Sequence, residues 1–172
     1  MKEVSGGRTP DDDGWFVVNV ADALAYDHEI GGSFTSFENR EEHRFQHFGI
    51  GVHVLQPGQP NCKYHGESAQ EAFLVLSGEC LLLVEGEERR MRQWDFFHCA
   101  PGTLHVFVGA GDGPCAILMA GARNVEDVVE YPASELAAKY GAAAPRPTDS
   151  PAEAYSDWPT EFTPSKLDWP PA

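Results

Sequence analysis

From Phe48 to Leu55 the chain alternates. Phe48, Ile50, Val52 and Val54 fall on one face of an extended backbone, and His47, Gly49, Gly51, His53 and Leu55 on the other. The glycines leave room on their face, so His47 and His53 either line a cavity there or face solvent or a second subunit. Short apolar runs bounded by turn residues follow. Ala72–Leu76 ends at Gly78, and Cys80–Glu85 ends at a turn over Gly86-Glu87-Glu88. Arg89–Arg92 forms the return, and Asp95–Cys99 ends at Ala100-Pro101-Gly102. A strand carrying His105 and Phe107 then leads through Gly109–Pro114 into Cys115–Ala120. The pattern predicts an all-β body. An earlier strand is expected at Trp15–Val20, and loop with an edge strand between Asp27 and Arg44.

Outside this body the pattern changes. Residues 1–14 are polar and glycine-rich and read as a flexible arm. The barrel is expected over 15–121 and a helical segment over 122–141. Within that segment Pro132 suits a first turn, and Ser134 to Tyr140 have good helix propensity before Gly141. Residues 142–172 are proline-rich and repeat Asp-Trp-Pro at Asp157 and Asp168. Such composition disfavours regular helix and central strand. Tyr155, Trp158, Phe162 and Trp169 are nevertheless large apolar anchors, so the tail is expected to lie as an extended strap on this barrel or on a neighbouring subunit.

At 172 residues one domain is expected. A formal charge of −15 argues against nucleic acid and anionic membrane as partners. No apolar run is long enough to span a bilayer, and the first residues lack a leader's apolar core, so a cytoplasmic location is expected. Cys62, Cys80, Cys99 and Cys115 show no paired metal spacing and read as small buried thiols, with Cys62 set apart by its place three residues before His65.

Chemistry concentrates between Pro57 and Gly78. His65 and Glu67 are two apart and leave one face of an extended chain; Glu71 follows a short break and opens an apolar strand. A carboxylate in that position is costly to bury without a cation. A further ligand has to come from elsewhere, and His105 offers one.

These two segments resemble the paired signature of the cupin superfamily. Gly58, His65, Glu71 and Gly78 occupy the first motif, with Glu67 where a second histidine is usual. A register with a shorter spacer would place Tyr64 and Gly66 there instead and lose the imidazole. Gly102 and His105 occupy the second motif, fifteen residues on, whereas Trp94, Ala100 and Gly109 replace its glycine, proline and asparagine. The likeness covers roughly Phe45 to Gly121. It implies a small bacterial cupin: a jelly-roll barrel, followed here by the short C-terminal helix and the proline-rich tail. It also implies one divalent metal ion (Zn, Fe, Mn or Ni) held by His65, Glu67, Glu71 and His105. Phe73, Phe107, His47, His53 and His98 are expected to line the pocket. Glu67 and His98 are the candidate proton-moving groups, and Glu67 is alternatively a support outside the ligand set. The expected function is metal-dependent chemistry on a small organic molecule, dioxygenase- or isomerase-like, in a homodimer. The alternative is a non-catalytic module that binds a metal or small ligand.

Overall fold

The structure is a computed structural model that describes residues 1–39, 41–123 and 128–171. Among the described residues, fourteen strands and two short α-helices run in chain order. The first strands are β1 (Lys2–Val4), β2 (Gly7–Thr9), β3 (Ala25–His28), β4 (Gly32–Thr35) and β5 (Phe48–Leu55). The central ones are β6 (Gly66–Glu67), β7 (Glu71–Ser77), β8 (Glu79–Val84) and β9 (Glu87–Arg92). Then come β10 (Phe96–Cys99), β11 (His105–Ala110), β12 (Cys115–Ala122) and β13 (Val129–Glu130). Helices α1 (Glu135–Ala138) and α2 (Pro151–Ala154) precede β14 (Thr163–Ser165). A seven-stranded sheet in the order β10-β7-β12-β5-β4-β3-β14 faces a three-stranded sheet in the order β11-β8-β9.

The core between the sheets is built by alternation. Leu55, Phe73, Val75, Cys99, Cys115 and Ile117 come from the large sheet and meet Cys80, Leu82, Met91 and Phe107 of the small one. The intervening residues face outward and acquire their own covers. Leu83, Val106 and Val108 pack under Ala137 and Ala142, and Val52, Val54 and Ala116 pack under Leu167. Gly78 turns the chain from one sheet to the other at φ 70°, and a Cβ there would lie 2.4 Å from the Pro114 carbonyl oxygen, so only glycine fits.

Several expectations change. The stretch 1–14 contains a hairpin, β1 on β2, with Gly7 and Thr9 buried, where a flexible arm is expected. Trp15–Val20 is not a strand; Trp15 and Val17 are solvent-exposed, and Asn19 instead caps a 3-10 turn over Val20–Asp22. Their apolar character has no sheet face to meet. The region 27–44 supplies two strands, and the β8–β9 turn sits at Glu85-Gly86, both at positive φ, one residue earlier than its composition suggests. Residues 124–127 of the segment expected to be helical lie outside the described residues, and α1 occupies only Glu135–Ala138, capped by Ser134.

The tail holds one helical turn and one strand, although its prolines argue against both. Pro151 sits at the first position of α2, where its missing N–H costs nothing, and Pro164 lies in β14, the edge strand beside β3. Leu167 packs against Val52, Val54 and Ala116 of this chain's own barrel, and Ala154 is buried. The four cysteines are free thiols, and only Cys62 is not fully buried.

Candidate metal centre

His105 opens β11 immediately after the turn at Pro101-Gly102, where Gly102 adopts φ 79°. His65 ends the irregular run after β5 and pairs with His105 in a single antiparallel bridge. The His65 N–H donates to the His105 carbonyl at 3.1 Å, and the His105 N–H donates to the His65 carbonyl at 2.8 Å. The two rings therefore leave the same face, 5.0 Å apart at their centroids.

Each ring has one nitrogen tied back to the chain. His65 Nδ1 lies 2.8 Å from the Lys63 carbonyl, and His105 Nδ1 lies 3.1 Å from the Thr103 carbonyl. A carbonyl only accepts, so both Nδ1 atoms carry protons, and in the neutral rings the Nε2 lone pairs are left to face the cavity. This backbone support of a ring's far nitrogen is the arrangement metal-ligating histidines require.

Glu71, the first residue of β7, lies opposite Gly121 of β12. The Glu71 carboxylate lies against the Gly121 backbone, within ordinary contact distance of where a Cβ would stand. Glu71 Oε2 is 3.5 Å from His105 Nε2. One donor atom each from His65, Glu71 and His105 lie within 4.8 Å of one another. The 3.5 Å between Glu71 Oε2 and His105 Nε2 is near the roughly 3.3 Å that separates tetrahedral ligands about 2 Å from an ion, so this pair is spaced to share one, with His65 beside it. Glu67 stands beside this trio, its Oε1 3.4 Å from His65 Nε2.

The electrostatics divide the two rings. Burial favours the neutral form of His65, but the Cys62 sulfur, 3.7 Å from its Nδ1, and the Glu67 carboxylate outweigh it, and the His65 pKa stands well above the ordinary value. Burial and the neighbouring His65 charge push His105 down to about 4. The hydrogen bond to His65 lowers the Glu67 pKa against the opposing effect of burial. Two imidazolium ions this close repel, so in the absence of a metal the two rings do not readily carry positive charge together.

The trio opens into a cavity of about 530 Å³ between the sheets, walled by Phe34, His53, Phe73 and Met119, with Tyr131 and Tyr155 above His65. His53 and Phe73 are among the residues that line it. Phe107 does not. It is wholly buried beneath His105, its ring 4.8 Å from that of Phe73, and belongs to the core. His47 is exposed and outside the cavity because β5 begins only at Phe48. His98 is also exposed. Its neighbours Phe97 and Cys99 point inward, so His98 points out, and neither pocket lining nor proton transfer in the cavity is open to it.

Tyr131, Tyr155 and Arg123 also line the cavity, and sequence reading missed them. Arg123 is held by Glu38, whose carboxylate oxygens lie 2.6 and 2.9 Å from its guanidinium. Tyr155 carried a signal only as an apolar anchor in the tail.

The family model described as the cupin domain matches residues 51–121. No curated protein matches the chain significantly. Among solved structures, the polyketide cyclase RemF from Streptomyces resistomycificus superposes with a TM-score of 0.54 at 17% identity, covering 65% of this chain and 86% of its own. A cupin-superfamily sugar phosphate isomerase from Silicibacter pomeroyi does so with a TM-score of 0.52 at 18% identity, covering 89% of this chain and 82% of its own. A candidate sugar phosphate isomerase from Acidithiobacillus ferrooxidans is 30% identical over 50% of this chain, with a TM-score of 0.48; the match spans about half, 56%, of that protein's length. The first two share the fold.

Proposed function

We propose that the chain, whose residues 51–121 match the cupin domain model, is a metal-dependent enzyme acting on a small organic molecule, dioxygenase- or isomerase-like. One observation carries this reading: the donors of His65, Glu71 and His105 lie within 4.8 Å of one another and face a cavity. His65, Glu71 and His105 would hold one divalent ion, Zn, Fe, Mn or Ni. When bound, that ion supplies Lewis acidity to a substrate oxygen.

The chain's own residues would do the rest. Glu67 accepts or returns a proton at Oε1, at the edge of the ligand trio. Burial pushes the Tyr131 hydroxyl up to about 12, so it stays protonated and offers a hydrogen-bond donor above His65. Phe34, Phe73 and Met119 exclude water from one wall and orient an apolar part of the substrate.

Protein purified without chelator tests the reading through its metal content, followed by isomerisation and oxygen-uptake assays on small hydroxy and keto compounds. We expect about one divalent ion per chain and its loss in His105→Ala. Wild-type protein that neither retains nor takes up any of the four ions sinks the proposal.

A further inference from the structure

The run that delivers His65 has few barrel partners. At its ends, the Asn61 and His65 N–H groups donate to the Phe107 and His105 carbonyls of β11. Between them the backbone turns away. The Lys63 N–H donates to the Tyr155 hydroxyl at 3.1 Å, and the Tyr64 N–H donates to the Ala142 carbonyl at 2.7 Å. Buried backbone donors require partners, and here the C-terminal segment supplies them.

Lys63 itself is fully buried. A lysine is almost never buried unless paired, and this one is paired entirely with the same segment. Its Nζ lies 2.9 Å from the Ala143 carbonyl and 2.9 Å from Asp157, and 5.0 Å from the Trp158 ring centroid. Trp158 is in turn stacked on His28 of β3, which fixes that end of the strap to the large sheet. The carbonyl of this pinned residue is the one that accepts the His65 Nδ1 proton at 2.8 Å.

We propose that Lys63 is a positioning residue for the metal centre: its buried ammonium, clamped by Asp157, Ala143 and Trp158, holds the Lys63 carbonyl on His65 Nδ1 and so sets the direction of the Nε2 donor. The strap over residues 142–158 is thereby part of the site, although it contributes no ligand. The Tyr155 hydroxyl supports the same residue through its N–H, and the Ala142 carbonyl holds the N–H of the peptide that carries the Lys63 carbonyl. The inference rests on the metal-centre reading for its consequence, but the hydrogen-bond chain itself is independent of any ion.

Two readouts on the full-length protein test it. The first is Zn²⁺ affinity by competition with a chelating dye. The second is the exchange rate of the His65 Nδ1 proton with water, followed by NMR of metal-free protein, since that proton is present whether the ring is neutral or charged. In Lys63→Met we expect affinity to fall about tenfold, the lower end of what loss of outer-shell support costs, and the Nδ1 proton to exchange at least about tenfold faster by the same loosening. Asp157→Asn and Tyr155→Phe, which keep the buried volume, should shift both readouts in the same direction by less, and they carry the test if Lys63→Met fails to fold.

Variants that melt earlier but keep wild-type affinity and wild-type exchange would overturn the inference, because a merely structural clamp moves only stability. Lower affinity with unchanged exchange would overturn it too. Absence of Zn²⁺ binding by wild-type protein would instead sink the metal reading and leave the exchange experiment to decide this one.

Discussion

His65 and His105, forty residues apart in the chain, face each other across one backbone bridge, and their rings stand 5.0 Å apart with both Nδ1 atoms tied to carbonyls. The bridge converts two local turns into one donor pair, so neither histidine can move without the other strand.

An ion bound by this pair stabilises the folded state only. At a hundredfold excess over its Kd, a divalent ion should add about 2.7 kcal/mol, which raises the melting temperature by roughly 5–10 °C for a domain of this size. Differential scanning fluorimetry with and without chelator measures the shift. His105→Ala should abolish it, and a shift that survives would place the ion elsewhere.

In metal-free protein the two imidazoles should titrate apart. As pH falls, His65 takes its proton above the ordinary value of 6.5, and His105 takes one only near 4. The folded-state pKa of His65 is raised, so its contribution to stability is complete below 6.5 and is lost as pH rises through the higher folded value. His105 has the opposite sign: between 6.5 and about 4 the unfolded chain binds a proton that the folded chain refuses, and stability falls across that window. Metal affinity should also fall as pH drops through the His65 pKa, because the ion displaces that proton. Imidazole carbon shifts by NMR would follow both rings, and a common midpoint near 6.5 would contradict the assignment.

Glu67 and His98 should separate cleanly. Glu67→Gln is expected to keep most of the metal and to lower turnover by about a hundredfold, the scale of a missing acid–base group. His98→Ala should leave metal content and turnover unchanged and stability within about 0.5 kcal/mol, since the side chain is exposed on the outer sheet face. Metal loss in Glu67→Gln equal to that in His105→Ala would place Glu67 among the ligands.

Trp94 adopts φ 73° between β9 and β10 and is largely exposed. A left-handed conformation costs a non-glycine residue about 1–2 kcal/mol, so Trp94→Gly should be neutral or stabilising by up to about 1 kcal/mol, after the entropy cost of glycine. Urea unfolding at fixed m-value measures it. A marked loss of stability would mean that the exposed indole makes packing contributions the geometry does not suggest.

The value of φ at Trp94 also explains a departure visible in the sequence. The expected glycine is absent, yet the backbone keeps the glycine-like turn, because the Trp94 N–H still donates to the Val75 carbonyl. The short apolar runs between turn residues correctly placed Val75, Leu82 and Ile117 in strands, whereas Phe107, expected in the pocket, belongs to the core. Alternation could not say where a strand starts. That is why His47, one residue outside β5, was grouped with His53, and why the outward direction of His98 was unknown until Phe97 and Cys99 were seen to face inward. Trp15–Val20 failed for a related reason: β-propensity describes a residue that fits a half-buried sheet, and no neighbouring strand comes to pair with this one.

Local spacing by itself determined the all-β character, because the period of two and the turn glycines are properties of short segments, and the likeness of two motifs to the cupin pattern pointed to His65, Glu67, Glu71 and His105 as candidate ligand positions. What only the assembled chain decided is how those positions are held. The pairing of His65 with His105, the placing of Glu71 opposite Gly121, and the burial of Lys63 beneath Asp157 and Trp158 all join residues distant in sequence. Such contacts depend on which strands and which tail residues reach the same place, and no local pattern of side chains encodes that meeting.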